Sequence, residues 1–263
     1  MSNDINAIAG KHLGKAGDGS VVNPYVTPDK IDPELLVGVP RHFNRTDYEI
    51  EDDNLPFVGV DVWNSYEFSC LLDNGFPISG LLRWDYDADT PCIVESKSIK
   101  LYLNSYNMAR MGATIDKVID NVETQVAHDL EQCIGATKVR VSLHTDPKSV
   151  GVDPLPSEYE QLERSIDVTS VEFTHYNESP DILDVIESDE VLTITSNSLR
   201  SNCRITNQPD WGDIYIYIKG AKSVTRESLM QYIVSMRREN HFHEEICECV
   251  YKRLHDLLQP QQL

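Results

Sequence analysis

The sequence has no run of apolar residues approaching the ~18 that a membrane-spanning helix requires. Its start, MSNDINAIAGKHLG, lacks the basic and apolar regions of a signal peptide, so the expectation is a soluble, cytoplasmic protein. Basic residues are scarce: 23 Lys plus Arg stand against 43 Asp plus Glu, a formal net charge of −20. Such a balance opposes accumulation on a polyphosphate, and direct nucleic-acid binding is not expected. A local basic patch could still hold a small phosphate-bearing cofactor. Cysteine is thinly spread, as Cys70, Cys92, Cys133, Cys203, Cys247 and Cys249, through a chain large enough to fold without crosslinks. Free thiols are therefore expected rather than a disulfide framework. There is no G-x-G-x-x-G, which excludes nicotinamide binding through a Rossmann fingerprint. C-x-x-C and H-E-x-x-H are also missing, and the spacing of His241, His243, Cys247 and Cys249 projects neighbours at i and i+2 apart on a helix, so no metal site is expected.

With 263 residues and 40% hydrophobic content, the chain can bury one large core or two smaller ones. Its first fifty residues are rich in Gly, Pro, Asn and Asp, with turn signals at Asn23-Pro24, Thr27-Pro28 and Asp32-Pro33. Residues 1–34 are read as an irregular arm. A module over 35–145 follows, with strands predicted at 57–63, 66–72, 78–86 and 93–103 and turns at Gly75 and at 89–91. After Thr114, the residues Ile115, Val118, Ile119, Val122, Val126 and Leu130 fall at helical spacing and Gly135 closes the run, the signature of an amphipathic helix. KVRVSLH, with Val139, Val141 and Leu143 alternating, ends the first half as a strand.

Three prolines and polar content make 146–163 a linker. The second module, 164–263, repeats the plan: strands at 170–176, 191–195 and 212–220, then a helix begun by Thr225 with Leu229, Tyr232, Ile233 and Met236 inside, and another carrying Ile246, Val250, Leu254 and Leu257. Strands followed by helices, twice, define an α+β fold with a duplicated module, although the two halves share no visible sequence similarity.

Three segments carry candidate chemistry. In LRSNCRITNQPDWGD, Asp210 follows Cys203 by seven residues beyond a Pro209 turn, so a bent chain could oppose a thiol nucleophile and a carboxyl proton donor. The alternative is a buried structural cysteine and a turn-forming Asp. In HFHEE, His243 and Glu244 lie between helical runs beside the ring of Phe242. A carboxylate at a helix start can accept two parallel hydrogen bonds from a guanine-like edge, or it can simply complement the helix dipole. ESKSIKLYLNSYN, beginning at Glu95, is placed on a strand with Glu95, Lys97 and Ile99 on one face and Ser96, Ser98 and Lys100 on the other. Its lysines and serines could bind phosphates and Glu95 a substrate amine, or the segment is a solvated edge strand guarded by lysine.

Taken together and in this order, the three segments resemble the long, two-module form of the 7-cyano-7-deazaguanine reductase (QueF) family of queuosine biosynthesis. GVPRHFNR and DNLPFVGVDVW resemble it too, so the likeness runs from about residue 35 to the end. The resemblance implies two tandem tunnelling-fold (T-fold) modules, each an antiparallel sheet with two helices, as in GTP cyclohydrolase I and pyruvoyl-tetrahydropterin synthase. It further implies NADPH, a homodimer, and reduction of the nitrile of 7-cyano-7-deazaguanine to a primary amine with two NADPH. In the family pattern Cys203 forms a covalent thioimide and Asp210 protonates the nitrogen. His243 and Glu244 hold the ring, Phe242 helps close the pocket, Val94, Glu95 and Ser96 contact the ring from the other module, and Ser96 with Lys97 meets NADPH. At one point the sequence departs: the long form continues into a final strand with an Arg-Arg-Gly-Gly stretch that serves the cofactor, whereas this chain ends QPQQL. The rival readings are a zinc-dependent cyclohydrolase on the same fold and an inactive module that only binds a deazapurine.

Overall fold

The computed structural model describes residues 30–145, 158–204 and 209–263. The chain divides into two compact units, Met1–Val152 and Asp153–Leu263. Most of the expected arm, 1–29, and of the expected linker, 146–157, lies outside the described residues.

The first unit is built on a sheet of strand order β5-β2-β3-β6, comprising β2 Val60–Leu72, β3 Pro77–Asp87, β5 Arg110–Gly112 and β6 Arg140–His144. A short pair, β1 Gly38–Pro40 with β4 Cys92–Val94, stands beside it, along with helices α1 Ser96–Asn104 and α2 Ile115–Ile134. β2 runs as one strand where two were expected, and the expected break between Trp63 and Tyr66 falls at a register shift between Ser65 and Phe68. The β2–β3 turn needs a left-handed residue, and Gly75 supplies it at φ 89.

α2 is the helix its periodicity predicted. Thr114 caps it by accepting from the Lys117 amide, and Gly135 ends it in the left-handed region at φ 70. Val118, Val122, Val126 and Leu130 are fully buried against the sheet side chains Phe68, Leu82, Trp84 and Tyr86. Each such side chain contributes roughly 1.5–3 kcal/mol of apolar burial.

The expected strand 93–103 is overturned. Only Cys92–Val94 is extended, and the chain enters α1 immediately after Glu95. Two effects dictate this. The Glu95 carboxylate accepts the amides of Lys97 and Ser98, at 3.0 and 2.7 Å, satisfying donors that a new helix leaves open. Ile99, Tyr102 and Leu103 then share one buried face at spacings of three and four. The apparent period-two pattern of ESKSIK was too short to decide between the two structures.

In the second unit β9 Leu192–Asn202 and β10 Pro209–Ile218 form an antiparallel hairpin, flanked by β7 Glu160–Gln161. β8 Val185–Glu187 pairs with β11 Lys222–Val224, and helices α3 Arg226–Ser235 and α4 His243–Leu258 complete the unit. Thr225 caps α3, and the expected inward residues Leu229, Tyr232, Ile233 and Met236 are all buried. In α4 Ile246, Val250 and Leu254 are buried as expected, but Leu258 takes the inward position expected for Leu257.

Three further expectations change. Residues 170–176 form no strand: Val171 and Phe173 are half-buried between exposed neighbours, but no ladder pairs with them. Glu160–Gln161, read as linker, pairs with β9, and the adjoining Leu162 is fully buried. The larger sheets are also mixed rather than purely antiparallel, because β5 runs parallel to β2 and β7 parallel to β9.

Candidate active site

Pro209 opens β10 instead of forming a turn. It sits opposite Asn202, a strand-start position that tolerates its missing N–H. Asp210 pairs with Ser201, and Cys203 follows one residue after β9 ends at Asn202. Ser201 and Cys203 are buried, at 1% and 5% exposure, while Asp210 is half-buried. The rest of the loop, 205–208, lies outside the described residues.

α4 begins beside this hairpin. Phe242 is its N-cap, and the Phe242 amide donates to Glu245 Oε2 at 3.0 Å, the reverse arm of a capping box. His243 is exposed and Glu244 half-buried in the first turn. A cavity of about 340 Å³ separates β10 from α4, lined by Leu199, Gly212, Ile216, His243, Ile246 and Val250. Of the expected site residues only His243 lines this cavity. Cys203 is instead joined to the start of α4 through its neighbours, since the Asn202 amide donates to the Glu239 carbonyl at 2.8 Å and Arg204 pairs with Glu245 at 3.2 Å.

In the first unit, Val94 and Glu95 are each 1% exposed. The Val94 amide donates to the Tyr86 hydroxyl at 3.3 Å. Glu95 Oε2 is committed to the α1 cap, while Oε1 has only the Ser96 hydroxyl, at 3.4 Å, among its hydrogen-bond partners. Ser96 lies on the rim of a cavity of about 330 Å³ between β2 and α1, with Trp63, Trp84, Ile99 and Lys100. Trp84 Nε1 is buried there without a hydrogen-bond partner among the described residues.

A phosphate-bearing cofactor would meet Ser96, Lys97 and Lys100 at the start of α1, because Glu95 already occupies the first amides. Beside the cavity stand one cation, Lys100, the Ser96 hydroxyl and the Trp84 indole N–H, with Lys97 next to Ser96 in the same turn but not in the lining. Among the described residues no group of three or more His, Cys, Asp or Glu gathers around a point where a metal could sit. His241, weighed as a ligand from the sequence, is held by Glu239 and Glu245. Those two carboxylates were missed as site elements. The only sequence signal was Glu245 three residues after the helix-capping position, and it carries no hint of Arg204.

The fold and the site define a class: a two-unit α+β protein with a half-buried carboxyl on a β-hairpin, a buried thiol just past the end of the facing strand, and a helix start rich in His and Glu bonded to that thiol's neighbours. The comparisons narrow it. Residues 27–143 match the family model described as "Nitrile reductase, 7-cyano-7-deazaguanine-reductase N-term", and residues 209–263 match "QueF-like protein". A protein of Chromobacterium violaceum named "NADPH-dependent 7-cyano-7-deazaguanine reductase" is 37% identical over 224 residues, 85% of this chain and 76% of that protein. The chain belongs to the QueF family of 7-cyano-7-deazaguanine reductases.

Proposed function

We propose that this protein reduces the nitrile of 7-cyano-7-deazaguanine to the primary amine, 7-aminomethyl-7-deazaguanine, with NADPH, in the pathway to queuosine. The observation that carries the reading is the β9–β10 pairing, which sets Asp210 opposite Ser201, with buried Cys203 just past the end of β9 and its neighbour Asn202 bonded to Glu239, ahead of the helix that bears His243 and Glu244. The family membership and the named relative support it.

In this reading the Asp210 carboxylate takes the thiol proton of Cys203, the sulfur attacks the nitrile carbon and forms a C–S bond as one C–N π bond breaks, and Asp210 returns that proton to the nitrogen. The product is a thioimide on Cys203. Reduction of a nitrile to an amine takes four electrons, and NADPH supplies two of them as a hydride each time it binds, so two equivalents are used. After the first reduction the thiol leaves and an imine remains. Cys203 stays protected in a buried position that slows loss of this imine to water.

Glu244 accepts hydrogen bonds from the guanine-like edge and His243 adds a polar contact, with Phe242 closing over the ring. Val94, Glu95 and Ser96 serve the ring from the first unit, Glu95 through Oε1. Ser96 and Lys97 hold the cofactor. We further propose that the two units are tunnelling-fold modules, the first over 35–145 and the second from β7 at Glu160 to 263, and that the protein is a cytoplasmic homodimer.

The test is intact-protein mass spectrometry after mixing with 7-cyano-7-deazaguanine. The expected result is one adduct per chain that maps to Cys203 and disappears in Cys203→Ala, while that variant still binds the ring. Full adduct in Cys203→Ala would sink the assignment.

A further inference from the structure

Both neighbours of Cys203 are anchored to one short stretch of chain, residues 239–245. On one side, Asn202 bonds to the Glu239 carbonyl. On the other, Arg204 Nε donates to the Asn240 carbonyl at 3.2 Å, and its Nη2 reaches Glu245 Oε2, also at 3.2 Å. The same Glu245 oxygen takes the Phe242 amide and lies 3.2 Å from His241 Nδ1. Glu245 is only 6% exposed, so these donors replace the water its carboxylate has lost.

His241 makes a second link, with Nε2 3.4 Å from Glu239 Oε2. Burial pulls its pKa down, but the bonds to Glu239 and Glu245 outweigh burial and push it up to about 9. In the protonated ring Nε2 donates to Glu239 and Nδ1 to Glu245. The bond from His241 holds Glu239 down at about 2. Two cations are brought close in this arrangement, because Arg204 Nη2 is 3.1 Å from His241 Nδ1. The contact is tolerable because a buried carboxylate is shared between them, and without that charge it becomes repulsive.

We propose that Glu245 is a positioning residue that fastens the Cys203 loop to the helix start carrying Phe242, His243 and Glu244, with Arg204 and His241 as its two cationic arms. The assignment rests on the reading of Cys203 as the nucleophile. It assigns Glu245 no contact with substrate: the carboxylate sets where the thiol stands relative to the groups that grip the ring.

The test uses the full chain carrying Glu245→Gln, which keeps size and removes charge. Cys203 and Cys92 are alkylated with limiting iodoacetamide and the two sites are quantified by peptide mass mapping. Cys92 is half-buried in the first unit, whereas the α4 cap belongs to the second, and it serves as the internal control. The Cys203 to Cys92 ratio is expected to rise on the order of tenfold, the equivalent of one lost charge-assisted hydrogen bond. Glu245→Asp, which keeps the charge, should recover part of the protection. With 7-cyano-7-deazaguanine, adduct formation in Glu245→Gln should slow on the order of 10- to 100-fold, the cost of a small misplacement of a reacting group.

An unchanged alkylation ratio overturns the proposal, whatever the adduct rate. A raised ratio in the variant, with no adduct in the unmodified chain, supports the clamp and overturns the proposed function instead. Should Glu245→Gln not fold, His241→Gln removes the other charged arm and is read by the same ratio: a rise supports the clamp, and no change overturns it.

Discussion

Asp210 stands opposite Ser201 across the β9–β10 hairpin, and Ser201 precedes Cys203 by two residues on the facing strand. β9 ends at Asn202, so strand register fixes Asp210 against Ser201, and Cys203 follows one residue beyond the paired strand. Asp210→Asn keeps the shape and removes the transferable proton. Adduct formation should slow on the order of 100-fold or more, the usual contribution of a positioned acid or base. Stopped-flow measurement of the adduct in a variant with an unchanged circular dichroism spectrum checks this, and an undiminished rate would remove Asp210 from proton transfer.

Glu95 has a structural duty that can be separated from its proposed contact with the ring. Its carboxylate closes two amides of α1 from a position that is 1% exposed. Glu95→Ala should cost about 1–2 kcal/mol of stability through the lost cap. Glu95→Gln keeps an acceptor oxygen and should cost less, yet lose more ring affinity than stability. Urea unfolding and calorimetric titration of both variants measure the two effects, and equal stability of Glu95→Ala and the parent chain would contradict the capping role.

Glu244 is half-buried in the first turn of α4. In Glu244→Ala the buried edge of the ring would lose its carboxylate partner, and affinity should fall by about 2–3 kcal/mol or more. The fold should be retained, because helix capping in this turn falls to Glu245. Titration in a Cys203→Ala background isolates binding from the covalent step, and unchanged affinity there would remove Glu244 from the site.

The His241 cluster makes stability depend on pH in a defined direction. His241 is raised to about 9 against an ordinary value of 6.5, so its contribution is complete below about 6.5 and is lost as pH rises through 9. Glu239 is lowered to about 2 against 4.5, so its contribution is present above 4.5 and is lost as pH falls toward 2. Denaturant midpoints should therefore decline between pH 7 and 9.5, and His241→Gln should flatten that slope. A slope of equal size in the variant would mean that other groups cause it.

Much of this architecture is legible where one local signal is long enough to stand alone. α2 carries four turns of periodic apolar residues between Thr114 and Gly135, and Ile214, Ile216 and Ile218 of β10 alternate with polar neighbours. Misreadings occur where the signal is short. ESKSIK fits a strand and a helix start equally well, and a Glu cap is outside the usual Ser, Thr, Asp and Asn preference. Residues 170–176 have a strand's alternation but no partner, and partners are a tertiary fact. The same limit applies to the site. The proposed roles of Cys203, Asp210, His243 and Glu244 rest on their sequence segments, whereas Glu245 and His241 gain their meaning only when Arg204 folds back onto them.

The most direct test follows NADPH oxidation at 340 nm while 7-cyano-7-deazaguanine is converted, with the amine quantified in the same samples. The account predicts two NADPH oxidised per amine formed, and no oxidation by Cys203→Ala. Amine formation that persists in Cys203→Ala, or folded protein that neither forms the adduct nor oxidises NADPH, would contradict it.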